Sequence, residues 1–143
     1  MGGDTAKKES NKMKDCRLNE EVLLDKNHLP VLMILNAINE QRFLGVLEAI
    51  SKGIGFGVES GACTFPDDLD EFDKANGVEL SGIEFGLYSG EEVVIDYQTL
   101  YYYLKILCDK YIEKNLAHTD IVKRFLADYT NKFLSRKERK NSN

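Results

Sequence analysis

Residues 83–111, IEFGLYSGEEVVIDYQTLYYYLKILCDKY, constrain the fold most, because the apolar period inside them changes from two to about 3.6. Ile83, Phe85 and Leu87 point one way, while Glu84, Gly86 and Tyr88 point the other. After Ser89-Gly90 the return run puts Val93 and Ile95 on the apolar side and Glu92 and Val94 on the wet side, the pattern of an antiparallel hairpin. Asp96 is then a good N-cap for a helix in which Leu100, Leu104, Leu107 and Tyr111 share one side. A sheet that is apolar on one face only, followed at once by an amphipathic helix, calls for helices packed on that face: an α+β fold.

The remaining segments fit the same plan. In GIGFGVESG (53–61), Ile54, Phe56 and Val58 alternate with Gly55, Gly57 and Glu59, which predicts a further strand. Val78 and Leu80 are out of phase with Ile83 to Leu87, so a bulge or bend is expected near Ser81-Gly82. Pro30 suits a first helical turn, and Val31, Leu35, Ile38, Leu44, Leu47 and Ile50 keep a helical period to Ser51. A break near Asn36–Asn39 divides that stretch, and Gly53 ends it. RLNEEVLLDKNHLP (17–30) reads either as a short helix or as an extended lead-in. Thr119 or Asp120 is expected to cap a last helix with Ile121, Val122, Phe125, Leu126, Tyr129 and Phe133 on its apolar face. The expectation is a small antiparallel sheet of about three strands, with N-terminal helices and two C-terminal helices packed on it. Residues 1–17, rich in Lys, Asn, Ser and Gly, read as a flexible arm, and 18–143 as one α+β domain.

Composition narrows the function. The longest apolar run, LPVLMIL (29–35), falls far short of the roughly 20 residues that cross a bilayer, and the polar N-terminus has no signal-peptide core. The opening Met-Gly carries Ala6 where a myristoylation signal wants Ser or Thr. Cys16, Cys63 and Cys108 are odd in number and widely spaced, which suits free thiols in a cytoplasmic protein, with Cys108 as a small core residue. The net charge of −5 is unevenly spread. Residues 59–96 hold eleven acids against Lys74 alone, whereas 97–143 hold ten bases and five acids. Such an acidic segment attracts cations or a basic macromolecule and repels nucleic acid. The basic SRKERK (135–140) reads as a solvated helix end.

Enzyme signatures are missing. His28 and His118, the only histidines, stand at predicted helix ends, and no HExxH, CxxC, GxSxG or Walker pattern occurs. GIGFG (53–57) has neither the spacing nor the following helix of a phosphate loop, and its glycines suit a strand that another backbone approaches closely. PDDLDEFD (66–73) lacks the central Gly of a calcium loop, and Phe72 interrupts its alternate acids. A surface for a basic partner fits better. Its candidate residues are Asp67, Asp68, Asp70, Glu71 and Asp73 in the loop and Glu84, Tyr88, Glu91 and Glu92 on the hairpin. Tyr101 and Tyr102, on the next helix, complete the set, because aromatic anchors ringed by charge are typical of interfaces. Packing of a second layer is an equal alternative for the two tyrosines. A small carboxylate-using hydrolase or metal-binding protein with its site in 67–92, and an adaptor for some other basic protein, are the competing readings.

Residues 77–115 resemble the C-terminal portion of CdiI immunity proteins from bacterial contact-dependent growth inhibition (CDI) systems. The likeness rests on Gly82-Ile83-Glu84-Phe85, on Glu91-Glu92-Val93-Val94-Ile95, and on Tyr101 to Tyr103 with Leu104 and Tyr111. It implies a cytoplasmic, non-catalytic protein that binds the C-terminal toxin domain of its cognate CdiA one to one. The implied toxin is a nuclease, with a ribonuclease as the expected kind, whose basic active site an acidic face would occlude. Glu84, Glu91 and Glu92 carry over from the motif by position, and Asp67 to Asp73 join them on charge. No cofactor, metal, small-molecule substrate, membrane or direct nucleic-acid contact is expected.

Overall fold

The computed structural model describes residues 17–135. Cys16, the rest of the expected arm and most of the basic tail lie outside the described residues. Arg17 is tied into the fold: its guanidinium donates to the Ile38 carbonyl at 2.6 Å, pairs with Glu40 at 2.9 Å and lies over the Phe43 ring.

The ambiguous lead-in is two single 3-10 turns, Glu20–Val22 and Lys26–His28, capped by Asn19 and Asp25. The first helical stretch is divided as expected. Helix α1 spans Leu29–Asn36 with Pro30 in its first turn, and α2 spans Phe43–Ser51 after Asn39 accepts the Arg42 N–H. Gly53 stops α2 at φ +78, and a Cβ there would sit 2.8 Å from the Phe133 ring, so only glycine fits. Helix α4, Tyr97–Lys114, starts where Asp96 accepts the Thr99 N–H at 2.7 Å. Helix α5, Thr119–Tyr129, runs on as a π turn over Thr130–Leu134. Neither Thr119 nor Asp120 caps it. Thr119 is already helical, and its hydroxyl donates back to the Leu116 carbonyl.

The sheet has four strands rather than about three, in the order β1-β2-β3-β4 with every pair antiparallel. The stretch expected as one strand over 53–61 yields only β1, Phe56–Val58. The chain then reverses through Glu59-Ser60 into β2, Gly61–Thr64, and Ile54 is half exposed outside the sheet. This reversal uses no left-handed residue, and Gly61 of the Ser60-Gly61 pair opens β2 instead of completing the turn. Strands β3, Ile83–Leu87, and β4, Glu92–Ile95, form the expected hairpin with Gly90 at φ +118. Between β2 and β3 lie a 3-10 turn, Pro66–Asp68, and the short helix α3, Glu71–Ala75. Gly82 makes the bend before β3, where a Cβ would lie 2.5 Å from the Ile95 carbonyl oxygen. Gly55 admits an equally close backbone, the Cys63 carbonyl oxygen, whereas Gly57 faces open space.

One sheet face is buried. Cys63, Ile83, Phe85, Leu87 and Ile95 form a single core with Val31, Ile34 and Leu35 of α1 and with Leu100, Leu104 and Leu107 of α4. Cys108 is fully buried in it, as expected. Buried tyrosines keep their hydroxyls satisfied, as burial demands. Tyr129 donates to the Tyr97 carbonyl at 2.6 Å. The Tyr103 hydroxyl accepts the Leu24 N–H at 3.0 Å and lies 2.7 Å from His28 Nδ1, joining α4 to the N-terminal turns. Tyr103→Phe should therefore cost about 1–2 kcal/mol, because it strands the Leu24 N–H. Urea unfolding should show a lower midpoint at an unchanged m-value.

Candidate functional site

The alternation that buries Ile83, Phe85 and Leu87 sets Glu84 and Gly86 on the outward face, beside Ala62 and Thr64 of β2 and Glu92 and Val94 of β4. Those outward positions are exposed or half-buried. Glu84 stands opposite Val94, and Glu92 opposite Gly86, so the two glutamates are diagonal neighbours across β3 and β4. Gly86 has no side chain to separate them. Partial burial first, then the Glu92 charge and a hydrogen bond between the two carboxyls, push the Glu84 carboxyl above its usual range. This raised carboxyl lies on the outward face of the sheet. Two clefts, of about 560 and 350 Å³, lie away from it, one between α2 and α5 beside Lys52, Arg124 and Asp128, the other beside Arg42, Val46 and Phe56.

The expected contact residues fall into four groups. Asp67, Asp68, Asp70, Glu71 and Asp73 lie on the 65–82 connection, which leaves the sheet at the end where Thr64 pairs with Glu84. Tyr88 and Glu91 sit at the opposite end, in the hairpin turn, where the Tyr88 N–H donates to the Ser60 carbonyl of the neighbouring turn. The length of β3, roughly 14 Å at about 3.4 Å per residue, separates these ends, and Glu84 and Glu92 lie between them. Tyr101 and Tyr102 belong to the helical layer. Tyr101 stacks on Tyr129, and Tyr102 donates to the Val22 carbonyl at 2.7 Å. Both are half-buried.

Within the acidic connection the carboxylates have different tasks. Asp68 accepts the Gly55 and Phe65 N–H groups at 2.9 and 2.6 Å, tying the connection to the start of β1. Asp70 caps α3 by accepting the Asp73 N–H, and Asp73 accepts the Asp70 N–H in return, a reciprocal capping box. Asp67 and Glu71 are exposed, and no hydrogen bond ties them to the backbone. Phe72, left outside the expected contact set, is 75% exposed beside them, and Tyr88 is 73% exposed at the hairpin turn. The signal that marks Phe72 is a lone aromatic on a five-residue helix with stop signals at both ends, Asp70 before it and Asn76-Gly77 after it.

Among the described residues the salt bridges are Arg17–Glu40, Lys52–Glu48 and Lys110–Glu113, so no acid from Asp67 to Glu92 is in one. No group of three or more His, Cys, Asp or Glu side chains among the described residues converges as a metal site would require. No helix among them is long and apolar enough to cross a membrane.

The family model for CDI immunity proteins matches residues 21–126, which take in the whole sheet, α3 and α4. The chain belongs to that family. None of the curated proteins matches its sequence. Membership gives this immunity protein its general task, protection against a CDI toxin, and the resemblance read from residues 77–115 agrees with it.

Two substitutions separate the roles of its acids. Asp68→Ala should cost about 1–3 kcal/mol by stranding two backbone donors, whereas Asp67→Ala should stay within about 0.5 kcal/mol of the parent in the same unfolding titration. Glu84 responds to pH. Its folded carboxyl holds a proton more tightly than the unfolded chain does, so its ionised form costs stability at neutral pH. That cost disappears as pH falls below the ordinary value of 4.5. Glu84→Gln should therefore stabilise the protein at pH 7, by on the order of 0.5 kcal/mol for a solvent-screened pair, and should give no gain near pH 3. Thermal melts of both proteins across pH check this.

Proposed function

We propose that this immunity protein binds the C-terminal toxin domain of its cognate CdiA one to one in the cytoplasm, and that the toxin is a nuclease, most simply a ribonuclease. The acidic sheet face and its flanking turns would take the place of the nucleic-acid backbone on the toxin's basic surface. Inhibition would need no catalysis and no cofactor, only occupation of that surface.

The observation that carries this reading is the Glu84–Glu92 pair. Two carboxylates are held together on an open sheet face, in a segment whose only base is Lys74, and no described side chain forms a salt bridge with either. Each weakens the free protein slightly. An Arg or Lys from a partner would relieve their repulsion, so the interaction is worth more in the complex than in the free state. A nuclease surface built to hold phosphates supplies such residues, and the acidic field would speed its encounter. Asp67, Glu71 and Glu91 extend the acidic area towards both ends of the sheet. Tyr88 adds an exposed ring at the hairpin turn. Tyr101 and Tyr102 would contribute indirectly, by fixing α4 behind the sheet.

Calorimetric titration into the CdiA toxin domain encoded beside this chain tests the reading, with a parallel RNA-cleavage assay. The parent should bind tightly at one to one, lose affinity as salt rises, and stop cleavage. Glu84→Lys/Glu92→Lys should weaken binding at least about tenfold and flatten the salt dependence. An unchanged Kd and salt slope would remove the sheet face from the interface.

A further inference from the structure

We infer that Phe72, carried on α3, is the apolar anchor of this immunity protein's interface and inserts into an apolar socket framed by basic residues on the toxin. The inference rests on the proposed toxin-binding reading and adds a specificity-determining residue outside the acidic set.

A five-residue helix that buries none of its side chains has no tertiary reason to form, and isolated helices of this length are unstable in water. Local devices at both ends hold it. At the N-terminus Asp70 and Asp73 exchange side-chain-to-backbone hydrogen bonds. At the C-terminus Gly77 takes φ +80, its N–H bonds to the Lys74 carbonyl at 3.1 Å, and the Val78 N–H bonds to the Asp73 carbonyl at 2.9 Å. That pair of bonds is the Schellman closure. The Asn76 side chain adds a bond to the Phe72 carbonyl at 2.8 Å. Asp68 then fastens the turn leading into α3 to Gly55.

These devices rigidify a segment that contributes little to the core, and its largest side chain is left in water. Phe72 is 75% exposed and Val78 is 41% exposed. In a Schellman closure the residue after the glycine commonly approaches the one five positions before that glycine, the place that Val78 holds relative to Phe72. Forming that local contact does not need an aromatic ring, and most of the ring remains uncovered. A ring carried on a backbone already held in place costs less ordering entropy on binding than one on a loose loop, a condition that favours an aromatic anchor. Charge commits the occupant. Exposed Glu71 adjoins Phe72 in the chain, exposed Asp67 lies on the same connection, and the 59–96 segment carries eleven acids against Lys74 alone. The socket that receives Phe72 is therefore bordered by Lys or Arg, which matches the toxin surface proposed above and not a second copy of this acidic segment.

Phe72→Ala, Phe72→Leu and Glu84→Lys/Glu92→Lys should each be titrated into the same toxin domain at two salt concentrations, with melting temperatures measured alongside. The expected result for Phe72→Ala is an affinity loss of about 30-fold or more with an unchanged salt slope and melting temperature. Phe72→Leu, which keeps an apolar partner for Val78, should lie between Ala and the parent. A Phe72→Ala affinity within about twofold of the parent overturns the inference. If the glutamate reversal still weakens binding in that case, the toxin-binding reading stands without the anchor. If the parent itself fails to bind, both fall together.

Discussion

The alternation of β3 is the constraint on which the rest depends. Ile83, Phe85 and Leu87 are at most 8% exposed, and they leave water only because α1 and α4 pack over that face of the sheet. A one-residue slip would exchange them with Glu84 and Gly86, placing a carboxylate in the core. The registers with β2 and β4 follow, since Cys63 and Val93 must share the inward side with Phe85. So does the acidic face: once β3 is fixed, Glu84 and Glu92 can go nowhere but outward, and Gly86 leaves them the room to meet. Fold and candidate site are thus two sides of one strand.

Charge count alone does not define a contact surface. Sequence treats the five acids from Asp67 to Asp73 alike, but Asp68, Asp70 and Asp73 accept backbone N–H groups that would otherwise be unsatisfied. They still count towards the acidic field of the segment. Replacing them, however, would alter structure and binding together, so they are poor probes of recognition. Asp67, Glu71, Glu84 and Glu92 are better ones, because their loss strands no backbone group.

Much of this was legible in the sequence, and the exceptions have specific causes. The β3–β4 hairpin, the Asp96 cap, the division between α1 and α2 and the Gly53 stop all depend on local signals that read the same way in the chain and in the fold. Strand β2 was not legible. Gly-Ala-Cys-Thr is short and small-sided, and it becomes a strand only because β3 pairs with it. The Glu59-Ser60 reversal hid the boundary for a related reason: Ser60-Gly61 repeats the Ser89-Gly90 turn signal, but no alternating apolar run follows it to mark a return strand. At the last helix, Thr119 and Asp120 have capping chemistry, but the preceding 3-10 turn Leu116–His118 already delivers the chain in helical geometry. The candidate site was legible as a charge pattern. The Glu84–Glu92 contact was not, because it depends on a register between strands.

On the proposed reading, the acids and the exposed ring of Phe72 act on different stages of one encounter. Charges spread over the sheet face and both of its ends act at distances up to about a Debye length, so they govern how often a basic partner arrives in a usable orientation. A fixed apolar side chain acts only at contact, and differences in affinity between related complexes lie mostly in how slowly they separate. An acidic face alone would attract basic surfaces with little discrimination, whereas a socket of the right shape for Phe72 belongs to few of them. Placing the ring on a doubly capped helix outside the core lets this specificity vary without disturbing the packing of β3. The same separation explains why the devices at the two ends of α3 are local: a recognition element that borrowed its rigidity from the core could not change without it.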